Sequence, residues 1–126
     1  MGRASTCFSV LETCRSEVAK VKEPGSSTIW NALNEFGKAW KTSTSNKDLP
    51  NGFRLEILCR EPGEYKFELY AALDWRVAFI LLDGADEAFW IDAWKKTGRR
   101  NRQAVNRACD RAKRFWRGWK GARTDE

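Results

Sequence analysis

The sequence of 126 residues contains no histidine, and none of its four cysteines (Cys7, Cys14, Cys59 and Cys109) stands in a C-x-x-C pair. The first absence excludes a Ser–His or Cys–His nucleophilic pair. The two together leave a zinc ion only four scattered thiolates, so no metal site is expected. There is no Gly-rich phosphate loop, no G-x-S-x-G elbow and no dinucleotide fingerprint, and no cofactor is expected. No apolar run approaches the roughly 18 residues of a membrane-spanning helix. Polar residues interrupt "MGRASTCFSVLETCRSEV" throughout, so it holds no continuous apolar signal core. The expectation is a cytoplasmic protein without a membrane partner, its thiols reduced and packed as small apolar groups.

Acidic residues are scarce in one place only. From Lys95 to Arg123 there are twelve Lys or Arg and a single acid, Asp110, which gives +11. Residues 1–94 carry −3 and the last three residues −2, so the net charge of +6 comes from one basic quarter on a mildly acidic body. Such asymmetry points to a nucleic acid or another acidic partner.

The hydrophobic pattern divides the chain. Cys7, Leu11, Cys14, Val18 and Val21 share one helical face over residues 5–22, with a strand at "CFSVL" as the competing reading. After the break "EPGSS", where Ser26 or Ser27 can cap, Ile29, Leu33, Phe36 and Trp40 mark a second helix. "TSTSNKDLPNG" is a loop by composition. The period then becomes two in "FRLEIL" and "YKFELYAAL", with a turn at "EPGE" between them. "WRVAFILL" is nearly continuously apolar, as a central strand covered on both faces would be. "DG" at 83–84 predicts a hairpin into "AFWIDAW". From Asn101 a helix returns, with Val105, Ala108, Ala112, Phe115 and Trp119 on one side and Arg107, Arg111 and Arg114 on the next stripe. Gly118 and Gly121 are expected to stop it. The fold class is α+β, a single domain over 1–126. It has two N-terminal helices, a twisted and mainly antiparallel sheet of three to four strands with helices on one face, and a basic C-terminal helix. Residues 1–25 form an extension of uncertain structure, and 118–126 a flexible tail.

Four groups of residues bear on function. Lys95 and Lys96, with Arg99 and Arg100 behind them, are four cations within six residues, which suits an anion site or a solvated strand end. The helix cations Arg102, Arg107, Arg111, Lys113, Arg114 and Arg117 suit phosphate contacts, or form an exposed basic face or one covered by an acidic protein. Trp90, Asp92 and Trp94 alternate onto one strand face, where a Trp stacks on unpaired bases or packs in a core. Arg76 sits inside an apolar strand, so it either reaches a phosphate or pairs with an acid such as Asp74, Asp92 or Glu68.

The strings "EYKFELY", "WRVAF", "FWIDAWKKT" and "AVNRACDRAKRF" resemble, in that order, the C-terminal half of RelE/ParE-superfamily toxins. They are closest to the HigB-like, phage-derived branch. The matching material covers residues 65–116 and more loosely 28–41. The resemblance implies a RelE-like fold and the toxin of a type II toxin–antitoxin system: a ribosome-dependent mRNA endonuclease, or mRNA interferase, that blocks translation without a metal. Its partners would be a cognate antitoxin, the ribosome and mRNA. Arg76 would face the phosphate and Lys95 and Lys96 would be the family's lysine pair. Asp92 stands where the branch often has His, as a partner of Arg76, a proton acceptor, or a mark of lost activity. Tyr70 replaces the usual Arg of the E-L-R strand. Arg99, Arg100, Arg107, Arg111, Arg114, Trp94 and Tyr70 would contact RNA. The alternative is a non-enzymatic module, either a ParE-like gyrase inhibitor or a basic nucleic-acid-binding domain.

Overall fold

The computed structural model of the chain describes residues 3–50, 53–59, 66–71, 75–82, 86–96 and 102–124. The predicted turns at 61–64 and 83–84, and with them Arg99 and Arg100, lie outside these residues. The elements are β1 (Cys7–Val10), α1 (Glu12–Ala19), α2 (Gly25–Thr42), a 3-10 turn (Asn46–Asp48), β2 (Leu55–Ile57), β3 (Lys66–Ala71), β4 (Trp75–Leu82), β5 (Glu87–Lys95) and α3 (Arg102–Thr124). The five strands form one mixed sheet in the order β1-β5-β4-β3-β2. All neighbours are antiparallel except β1 and β5, which run parallel. The chain is a small α+β domain, and no helix among the described residues is long and apolar enough to cross a membrane.

The sheet has one strand more than expected, and the extra strand comes from the N-terminus. Both readings of residues 5–22 hold in part, because "CFSV" pairs with β5 and a short helix follows. In α1 the predicted residues Cys14 and Val18 are buried. The N-terminal stretch is integral to the domain. The Trp40 indole N–H donates to the Thr6 hydroxyl at 3.1 Å, and the Arg3 guanidinium lies 3.7 Å from the Trp40 ring centroid.

The four stripe residues of α2, Ile29, Leu33, Phe36 and Trp40, are all buried, as their spacing predicts. The helix starts earlier than a serine cap would place it. Ser26 and Ser27 lie inside the first turn, and the Glu23 carboxylate accepts the Ser27 N–H at 2.8 Å along with both hydroxyls. An acid at this end also suits the helix dipole.

Helices cover both faces of the sheet, not one. Val77, Phe79 and Leu81 of β4 face α2, with Trp90 of β5 among them. Ala78, Ile80 and Leu82 face the opposite way, against Ala104, Val105, Ala108, Cys109 and Ala112 of α3. This two-sided burial is why "WRVAFILL" has no polar alternation. α3 also continues through Gly118 to Thr124 and leaves no tail from 118. A glycine inside a helix costs about 1 kcal/mol. Here the Trp119 ring, 5.4 Å from that of Phe89, packs the last turns onto the sheet.

Phe36 lies at the centre of the α2 face, its ring within 6.1 Å of those of Phe8, Trp40, Phe53, Phe79 and Trp90. Phe36→Ala is expected to lower the unfolding free energy by about 3–5 kcal/mol, read from urea denaturation.

Candidate functional site

β5 carries Asp92, Trp94 and Lys95 of the predicted site residues, and it does not alternate evenly. Ala78 of β4 lies opposite Asp92 and Phe79 opposite Trp90, which leaves Ile91 as an extra residue, a β-bulge. The bulge turns Ile91 and Asp92 to the same side, toward α3. Strict alternation put Trp90, Asp92 and Trp94 on one face, and the structure corrects this. Trp90 lies in the α2 core, whereas Asp92 and Trp94 lie under α3. Trp94 is buried, and its indole N–H has no hydrogen-bond partner among the described residues.

Asp92 is fully buried. Its Oδ2 accepts Arg107 Nε at 2.9 Å, and its Oδ1 accepts Arg107 Nη2, Arg111 Nη1 and the Ala93 N–H, each at 2.9 Å. Glu17 of α1 adds a second acid, 3.8 Å from Arg107 Nη1, 3.6 Å from Arg111 Nη1 and 3.3 Å from Lys20 Nζ. Burial alone would lower the Arg107 pKa, but hydrogen bonds to Asp92 and the charges of Asp92 and Glu17 prevail and raise it. Arg107 and Arg111, read from the sequence as RNA contacts, are each shared between two acids and remain partly exposed. Among the described residues, the hydrogen bonds to the Asp92 carboxylate come from Arg107 and Arg111 of α3 and from the Ala93 N–H.

The cationic residues that face solvent are others. Lys95 and Lys96 are exposed at the end of β5, and Lys95 forms no ion pair among the described residues. Arg102, Arg114 and Arg117 are exposed along α3. Lys95 lines a cleft of about 280 Å³ with Lys20, Arg107, Glu17, Trp75 and Trp94. Lys20 and Arg107 are paired with Glu17 and Asp92, so Lys95 is the lining cation that has no ion pair among the described residues, and the tryptophans give the cleft aromatic walls. Arg76 is buried in β4, in a cross-strand row with Tyr70 of β3 and Trp94 of β5. Sequence reading missed Glu17, Lys20 and Trp75. Glu17 had one signal, its position beside the stripe Cys14–Val18.

Two measurements check the assignment. Asp92→Ala is expected to cost about 1–3 kcal/mol in urea denaturation, below the full value for a buried pair because both arginines are partly solvated. Lys95→Ala should stay within about 0.5 kcal/mol of the parent. Burial, reinforced by the charge of Asp92, pushes the Cys14 thiol up to about 12. The folded state thus holds this proton more tightly than the unfolded chain. That stability is complete below the unfolded value of about 8.5 and is lost as pH rises toward the folded one. Between about pH 9 and pH 11, Cys14→Ala should lose stability less steeply than the parent in denaturation curves.

No family model matches the chain, and a search of curated proteins finds no match.

Proposed function

We propose that the protein is the toxin of a toxin–antitoxin pair and cleaves mRNA on the ribosome, at the end of β5. The observation that carries this reading is the pair of exposed lysines, Lys95 and Lys96, beside a cleft that Lys20, Arg107, Trp75 and Trp94 also line. The resemblance of residues 65–116 to RelE/ParE-superfamily toxins supports it.

The chemistry is an internal transesterification. The 2′-hydroxyl oxygen attacks the adjacent phosphorus and gives up its proton, the P–O5′ bond breaks, and the 5′-oxygen takes a proton. The products are a cyclic phosphate and a free 5′-hydroxyl. The phosphorane-like transition state gains negative charge on its non-bridging oxygens. Cations that meet this charge lower the barrier. Lys95 and Lys96 take that role, and one of them exchanges the proton. Asp92 contributes by position, because it holds Arg107 at the wall of the cleft. Arg102, Arg114 and Arg117 add sequence-independent attraction along the RNA backbone.

The test uses ribosomes programmed with a defined mRNA. The parent protein should produce discrete cleavage products. The Lys95→Ala, Lys96→Ala double variant should cut at least ~100-fold more slowly. Its affinity for RNA should fall far less, since the α3 cations remain. Induction of the parent in bacteria should arrest growth, and the double variant should relieve the arrest. If a folded parent protein binds RNA but leaves mRNA intact on ribosomes, the endonuclease reading is wrong and the binding-module reading takes its place.

A further inference from the structure

β1 closes one end of the sheet, and its outer edge is open. The Cys7 N–H donates to Asp86 O at 2.8 Å and the Leu11 N–H to Trp90 O at 3.0 Å. Odd-numbered residues of this strand therefore address β5. Alternation turns the N–H and C=O of Phe8 and Val10 outward. Neither group has a hydrogen-bond partner among the described residues. Natural edge strands are usually guarded by lysine, proline, a bulge or a covering element. "CFSV" contains neither lysine nor proline.

A groove of about 390 Å³ runs beside this edge, between β1 and α2. Trp30, Leu33 and Trp90 give it apolar walls. Gly37 opens it, since a Cβ there would meet only the Phe8 ring, at 3.8 Å. Lys38 and Lys41 are the charged residues of its lining. Lys38 shares its charge with Glu35 at 3.5 Å, both exposed, whereas Lys41 has no ion-pair partner among the described residues.

We propose that this edge and groove hold an extended, acidic segment of a protein partner, which adds a strand to β1. Its backbone pairs with Phe8 and Val10, an apolar side chain enters the groove over Gly37, and a carboxylate meets Lys38 and Lys41. This is recognition by strand addition, in which backbone bonds hold the segment and pockets select its side chains. The charge of the lining argues against a second copy of this chain. Pairing two β1 edges would bring both pairs of lysines together, and β1 carries no acid to offset them. The surface is separate from the lysines at the end of β5, so the inference stands whether or not the protein cleaves RNA.

The test begins with selection of short random peptides displayed on phage against the whole protein. The selected sequences should alternate apolar residues and carry Asp or Glu. A synthetic peptide of the consensus should protect the exposed Cys7 thiol, which lines the groove, from iodoacetamide. Gly37→Leu, which fills the groove, and Lys38→Glu with Lys41→Glu should each weaken binding by at least ~10-fold. Val10→Pro should do the same, because proline removes the outward N–H and leaves the β5 ladder intact. N-methylation of alternate peptide amides tests strand pairing without altering the protein, and should abolish binding. The proposal is overturned if no sequence is selected, or if Gly37→Leu and the N-methylated peptide bind as well as their parents. It is also overturned if the protein sediments as a dimer that Val10→Pro dissociates, since a second copy then fills the edge.

Discussion

One carboxylate ties the sheet to α3. Asp92 projects from an inner strand into the space under α3 and takes both Arg107 and Arg111. Between Ala104 and Ala112 the α3 side chains on the sheet are mostly small, Ala104, Ala108, Cys109 and Ala112 beside Val105, and the large Phe115, Trp116 and Trp119 follow toward its C-terminal end. The small residues let this part of the helix lie close but bury little apolar area each. A directional contact then decides its register. Arg107 and Arg111 stand one helical turn apart, so sliding α3 by a turn would leave the buried Asp92 one arginine where it now has two, with Gln103 or Phe115 in place of the other. Apolar area sets how strongly the helix adheres, and the ion pair sets where.

The bulge at Ile91 is the condition for that contact. Without the extra residue, Asp92 would follow Trp90 onto the α2 face, amid aromatic rings with no cation to meet it. Trp94 would turn with it. A single added residue thus separates an aromatic core on one side from a polar anchor on the other. This explains how "FWIDAW" can place an aspartate in the middle of an apolar strand.

Periodicity made much of the fold legible. The stripe of α2, the strands β2 to β5 and the apolar side of α3 follow from apolar spacing alone. Three things did not follow. The N-terminus has helical spacing from Cys7 to Val21, but β1 forms because a distant strand offers it a ladder, and local pattern does not carry that. The bulge leaves no mark in composition, so every side assigned by alternation across it was reversed at one end. Gly118 reads as a stop, yet packing from Trp119 outweighs its propensity. In the candidate site the sequence showed which residues are cationic and could not show which way they face. Arg107 and Arg111 looked equivalent to Arg114 on a helical wheel, and only the position of Asp92 separates inward from outward charge.

The parallel pairing of β1 with β5 joins strands far apart in the sequence, with Cys7 aligned to Glu87. A sheet closed in this way has high contact order, and its loop entropy must be lost before the last ladder forms. During synthesis the first strand leaves the ribosome long before its partner is made. It must wait, with its apolar residues covered by α2 at most, until β5 has emerged. The strand that ends in Lys95 needs β1 as its neighbour on one side. The order of translation therefore delays assembly of the basic end of the sheet until both strands are outside the ribosome.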